Sequence, residues 1–168
     1  MQRILILLLV ATGCSALKVT PEMSPREAYV ARYAAMARAE MKRSGVPASI
    51  TLAQGMLESG NGTSRLAVKG RKHFGIKCHK GWEGRTIYED DDREHECFRR
   101  YRSVRESYRD HSDFLRTRTR YSALFELEPD DYRGWAQGLQ KAGYATNPKY
   151  AERLTALIEA ENLQRFDR

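Results

Sequence analysis

The sequence predicts an α+β chain, mainly helical, with one small β-lobe inserted in its middle. Three observations lead there. Apolar residues at helical spacing, closed by start and stop residues, occupy both flanks of the chain. Between them, over residues 78–101, glycines, aromatics and short alternating runs replace the helical period. Residues 51–62, TLAQGMLESGNG, form an apolar helical run in which Glu58 is the one charged side chain.

Taken in order, the first structural signal is Ser24-Pro25-Arg26-Glu27. Ser24 is an N-cap, Pro25 fits the first turn, and Glu27 completes a capping box. The helix is expected to reach Ser44 and stop at Gly45, with Tyr29, Tyr33, Met36 and Ala37 on its apolar face. Val46-Pro47 turns the chain into the helix of Leu52, Ala53, Met56 and Leu57, which Gly60 and Gly62 end. A short helix follows over residues 64–70, anchored by Leu66 and Val68. Thr86-Ile87-Tyr88 and Cys97-Phe98-Arg99 read as paired strands around an acidic loop holding Glu89, Asp90, Asp91, Asp92, Glu94 and Glu96.

Helices resume at Ser103, where Glu106 suggests a second capping box and Tyr108, Phe114 and Leu115 mark the inner side. Residues 121–125 make a short helical turn. Residues 130–142 form a helix carrying Trp135 and Leu139, ended by Gly143. Asn147-Pro148 caps the last helix, which is expected to run to about Leu163 with Tyr150, Leu154, Leu157 and Ile158 inward. At 168 residues this is one domain, long enough for a real core.

The start reads as a targeting segment over residues 1–16. Met1-Gln2-Arg3 is basic, and the apolar run from Ile4 to Val10 is too short to span a bilayer. Ala11-Thr12-Gly13-Cys14 resembles a lipoprotein cleavage box, so a lipid anchor at Cys14 and ordinary cleavage after Ala16 both stay open. Residues 17–23 read as a tether and residues 24–168 as the working domain. Any membrane association would run through Cys14. With Cys14 set aside, Cys78 and Cys97 remain, and an even pair in an exported chain suggests a disulfide. No CxxC or HxxxH spacing occurs and the four histidines are scattered, so no metal is expected.

The chain carries 29 Lys+Arg against 22 Asp+Glu, a net charge of +7. The basic residues are spread rather than blocked, which argues against a disordered nucleic-acid arm. An anionic polymer suits such a surface; charge alone does not separate cell wall from nucleic acid.

Glu58 is the natural centre of chemistry. A carboxylate at the end of an apolar helix, beside glycines, should sit in the wall of a cleft, where partial desolvation favours the protonated form a general acid needs. Read alone, a solvated helix-end glutamate fits equally well. AQGMLESGNG, then HFGIK, then AGYATNPKYAERL, occur in that order. Together they resemble the peptidoglycan N-acetylglucosaminidases of glycoside hydrolase family 73, a domain also found in some flagellar rod-assembly proteins. The resemblance covers residues 25–163. Asn61 departs from it, standing where the family more often has Trp.

The resemblance implies a lysozyme-like fold with a cleft between two lobes. It also implies cleavage of β-1,4 bonds at N-acetylglucosamine in peptidoglycan glycan strands by a monomer without a cofactor. Glu58 becomes the acid and Tyr144 catalytic support; Phe74 lines the cleft floor and Asn147 is a further substrate contact. Read from the residues alone, Trp82 and Trp135 offer faces for sugar stacking, with burial equally open for each. Glycosidases use a second carboxylate or the substrate's own acetamido group; the resemblance places the β-lobe acid at Glu89. Two alternatives stay open: a lytic transglycosylase, and a wall-binding or assembly scaffold without activity. The former usually follows its Glu-Ser pair with Gly-Leu-Met-Gln, which is missing here.

Overall fold

The computed structural model describes residues 22–90 and 94–168. The expected leader, Cys14 and most of the tether lie outside the described residues, as do Asp91 and Asp92 of the acidic loop. Six α-helices, two strands and two 3₁₀ segments follow in the order α1 (Pro25–Ser44), α2 (Ala48–Ser59), α3 (Arg65–Gly70), β1 (Thr86–Glu89), β2 (Glu96–Arg99), α4 (Val104–Thr117), 3₁₀ (Thr119–Glu126), α5 (Tyr132–Lys141), α6 (Tyr150–Ala160), 3₁₀ (Leu163–Phe166). None of the described helices is long and apolar enough to cross a membrane.

Helix α2 is the axis of the helical body. Ten of its twelve residues are buried, so it is covered on every side rather than along one stripe. It packs against α1, α5, α6 and the C-terminal 3₁₀ turn. Pro47 gives its N-terminus no side-chain cap. Asp167, from the far end of the chain, accepts a hydrogen bond from the Ser49 amide (2.8 Å) and fills that role. Burial raises the Asp167 carboxyl above its ordinary range, and the hydrogen bonds from Ser49 work against that rise.

The Ser24 capping box on α1 and the left-handed stop at Gly45 form as the sequence predicts. The second box forms by half: Ser103 accepts from the Glu106 amide, but the Glu106 carboxylate turns to the amide of Arg102 (2.8 Å). On α3 the inward residues are Ala67 and Gly70, whereas Val68 is 65% exposed and anchors nothing. Helix α6 starts at Tyr150, with no side-chain cap. Asn147 instead forms the turn before it, its Oδ1 accepting from the Lys149 amide (2.8 Å). The helix ends at Ala160, ahead of Asn162 at a φ of 48°. Trp135 belongs to the core: it is 1% exposed and meets Phe125 edge-on (5.2 Å), so it has no face for a sugar.

The β-lobe pairs β1 and β2 antiparallel, with Ile87 opposite Phe98 and Glu89 opposite Glu96. The HFGIK segment runs along the other side of β2, through a Lys77–Phe98 bridge and a hydrogen bond from the Cys78 amide to the Cys97 carbonyl (2.9 Å). Cys78 and Cys97 form a disulfide there, their Cα atoms 5.4 Å apart. A second fastening joins the lobe to α4. Arg99 donates to both oxygens of Asp110 (2.7 and 2.9 Å), Tyr101 donates to Asp110 Oδ2 (2.5 Å), and Trp82 lies against the Arg99 guanidinium (4.4 Å). Trp82 is therefore spent inside the lobe.

The disulfide joins residues 19 apart, so replacing both cysteines with serine should lower stability by about 3 kcal/mol on the chain-entropy estimate. That is a fall in melting midpoint of about 10 °C for a domain of this size. Neither cysteine should alkylate in the native, non-reduced protein; ready alkylation at both would contradict the bridge.

Candidate active site

Glu58 lies on the last turn of α2. Beyond it the chain passes through three residues of positive φ, Gly60, Asn61 and Gly62 (57°, 56° and 79°). Ser59 ties this turn together, donating to the Gly55 carbonyl (2.5 Å) and accepting from the Gly62 amide (2.7 Å). Asparagine tolerates the left-handed region far better than a bulky aromatic residue, which gives the departure at Asn61 a backbone reason. Across the turn, Gly75 of the HFGIK segment stands against the acid. A Cβ built there would lie 2.9 Å from Glu58 Oε2, so any larger residue here would push the carboxylate out of its present place.

Behind Glu58 runs a buried chain of hydrogen bonds. Tyr150 donates to Glu58 Oε1 over 3.4 Å, a length that catalytic contacts often shorten when substrate binds. Gln54 Nε2 donates to the Tyr150 hydroxyl (2.9 Å), and His111 Nε2 pairs with Gln54 Oε1 (3.0 Å). Burial lowers the His111 pKa to about 3, so its ring is neutral and donates through Nε2. Phe74 stacks flat on that ring (3.9 Å, 12°). Burial, then the Glu58 charge, holds the Tyr150 phenol well above its usual range, leaving it a donor.

Tyr144 reaches the same place from α5. Gly143, at a φ of 71°, ends that helix in a Schellman motif: the Tyr144 amide bonds the Leu139 carbonyl and the Gly143 amide bonds that of Gln140, both over 3.0 Å. The Tyr144 ring lies against Tyr150 (5.7 Å) and edge-on to His111 (6.2 Å). Its hydroxyl is covered and has no hydrogen-bond partner among the described residues. Burial, then Tyr150 and Glu58, keeps this phenol protonated.

Glu58 and Tyr144 together line a cleft of about 350 Å³, with Gly75, His79, Phe114 and Arg120 among its other walls. Phe74 is 1% exposed and lies beneath the cleft, supporting it through His111 rather than facing it. Asn147 is exposed, next to Thr146 at the rim. Glu89 is not brought to the cleft wall. It ends β1 in an ion pair with Arg65, and among the described residues Glu58 is the one carboxylate lining the cleft. Sequence reasoning missed Gln54, His111 and the second role of Tyr150. The available signal was Gln54 itself, the amide four residues before Glu58 on the same helix face.

A mainly helical body, a small β-lobe and a carboxylate at the end of the central helix make up a domain of the lysozyme-like kind. The family model for mannosyl-glycoprotein endo-beta-N-acetylglucosaminidase matches residues 34–163, and the chain belongs to that glucosaminidase family. It is 31% identical over 163 residues to exo-glucosaminidase LytG of Bacillus subtilis, covering 89% of this chain and 56% of the relative's length. Solved structures share the fold. A peptidoglycan hydrolase from Sphingomonas sp. A1 has a TM-score of 0.72 at 30% identity, over 83% of this chain and 91% of that one. The glycoside hydrolase domain of Salmonella typhimurium FlgJ has 0.69 at 31%, over 85% and 91%.

The buried histidines make stability depend on pH. Burial lowers His111 to about 3 and, with help from Arg32, His73 to about 4. Unfolded histidine titrates near 6.5, so the unfolded chain takes up protons that the folded one refuses as pH falls. Their contribution is complete above about pH 6.5 and should shrink by up to ~1.4 kcal/mol per pH unit for each ring towards pH 4. Urea midpoints across that range should fall with pH, and His111→Gln should remove about half the histidine slope. An unchanged slope in the variant would contradict this assignment.

Proposed function

We propose that this chain is an exported peptidoglycan endo-β-N-acetylglucosaminidase that hydrolyses the bond on the reducing side of N-acetylglucosamine, as a monomer and without a cofactor. The observation that carries the reading is the cleft where Glu58 and Tyr144 meet, in a chain of the glucosaminidase family. The leader pattern supports export, and Cys14 is the residue that would take a lipid anchor.

In the mechanism we favour, the protonated Glu58 gives its proton to the glycosidic oxygen as the C1–O bond breaks. The sugar's acetamido oxygen closes on C1 as a cyclic oxazolinium, the route some glycosidases use in place of a carboxylate nucleophile. Glu58, now a carboxylate, takes a proton from the water that opens this ring. The product is a reducing sugar, and the acid is restored. Among the described residues Glu58 is the one carboxylate in the cleft wall, which supports this route. Tyr144 lines the same cleft wall, and we assign it to positioning the acetamido group. Glu89 would act only if the β-lobe carried it towards the substrate.

Glu58→Gln should reduce wall lysis at least about a hundredfold with the melt unchanged, since general acid catalysis is worth ~10²–10⁴. Tyr144→Phe removes a hydroxyl with nothing to lose inside the protein, so the midpoint should hold while turnover falls by about tenfold. Near-normal lysis by Glu58→Gln would end the proposal. A loss at Glu89→Gln as severe as at Glu58→Gln would replace the acetamido route with a second carboxylate.

A further inference from the structure

The stretch Arg116-Thr117-Arg118-Thr119-Arg120 has no place in the mechanism. It joins α4 to the following 3₁₀ segment. Arg116 leaves towards Phe125, with its guanidinium 4.6 Å from that ring. Arg118 and Arg120 instead line a second hollow of about 550 Å³ with Thr117, Thr119 and His79. His79 and Arg120 also line the cleft, so the hollow continues the catalytic site.

No acid lines this hollow among the described residues. Neither Arg118 nor Arg120 forms an ion pair among the described residues. The acids of the neighbouring α4 are engaged elsewhere: Glu106 by the Arg102 amide (2.8 Å), Asp110 by Arg99 (2.7 Å) and Asp113 by Arg43 (2.7 Å). His79 registers the field. Its pKa is lowered by burial, then by Arg118, Arg99 and Arg120, with Asp110 alone opposing. The arginines are also held in place, Arg118 over Phe114 (4.1 Å) and Arg120 over Tyr121 (4.9 Å). A guanidinium held against a ring keeps N–H donors that can meet a planar anion.

We propose that Arg118 and Arg120 form an anion subsite for a carboxylate of the peptide stems on the glycan strand, so that the domain reads peptide-bearing strands in preference to bare sugar chains. The inference rests on the peptidoglycan reading for the identity of the strand. Its chemistry follows from that polymer. N-acetylglucosamine is neutral, and the lactyl carboxyl of muramic acid is consumed as an amide where a stem is attached. The remaining negative charge sits out on the peptide, so it should meet protein beside the sugar cleft rather than within it. A pair of stacked arginines beside the cleft matches a carboxylate in charge and shape.

The test is a solution titration of labelled protein with soluble wall strands, using the chain with Glu58→Gln so that binding is read without digestion. Uncrosslinked wall strands with intact stems are compared with wall strands stripped of peptides by an amidase, which leaves only the freed lactyl carboxylate on the sugar, and with strands freed of phosphate polymers. At low salt, intact wall should bind about tenfold more tightly than stripped wall. Arg118→Gln with Arg120→Gln should abolish that difference, and Arg118→Lys alone should keep part of it. Equal binding to intact and stripped wall, or a preference that survives both glutamines, would overturn the proposal. A preference lost only with the phosphate polymers would also overturn it, by assigning the arginines to wall phosphate. Binding does not depend on cleavage, so a chain that shows the preference but whose Glu58 form cuts nothing would refute the glycosidase reading and leave the subsite standing.

Discussion

The structure depends on holding one carboxylate at the edge of an apolar helix. Glu58 sits where α2 leaves the core, and the protein meets it on two sides. Gly75 brings the HFGIK backbone within reach of one oxygen, and Tyr150 points a phenol at the other. An isolated buried charge would be untenable, so the acid stays half-exposed at the cleft while its polar support runs inward through Gln54 to a neutral His111. A fully buried α2 supplies the rigidity: little can move Gln54 or Glu58 without disturbing packing on all its sides.

Helix α4 connects this support to the opposite wall. Two adjacent residues on it face different tasks. His111 holds Gln54, and through it the acid; Asp110 holds Arg99 and Tyr101 of the β-lobe segment. The disulfide and the Lys77–Phe98 bridge then tie the HFGIK strand, with Gly75, to β2. Both edges of the cleft are therefore referenced to one helix. This explains why so small a lobe, with two four-residue strands, can present a wall to the acid.

What the sequence made legible was local or carried by motifs. Ser24 and Glu27 lie three residues apart, and their reciprocal hydrogen bonds need no tertiary contact. Gly45 and Gly143 mark helix ends for the same reason. The strand pairing followed from alternation on both sides of one loop. What stayed hidden was made by distance. Asp167 caps α2 from 118 residues away, and Tyr150 meets Gln54 across 96; no local pattern encodes either. Trp135 shows a related limit. Helical spacing places it on the apolar face of α5, but only the packed neighbours decide whether that face meets core or cleft. Val68 failed because a six-residue helix offers too short a period to fix its inner side. The place of Glu58 and Tyr144 in one cleft wall was legible because their cues, a lone acid on an apolar helix and an aromatic after a helix-stopping glycine, stand within recognisable motifs. Glu89 lacked such a cue and rested on alignment across a loop.

The central claim is that this cleft uses Glu58 to break a glycosidic bond with water. Digesting purified peptidoglycan in water enriched in heavy oxygen, and weighing the fragments by mass spectrometry, tests it most directly. The account predicts new reducing ends at N-acetylglucosamine, each carrying one heavy oxygen when analysed before exchange, and none from the Glu58→Gln chain. Unlabelled anhydro-sugar ends, or intact glycan with severed peptides, would contradict it.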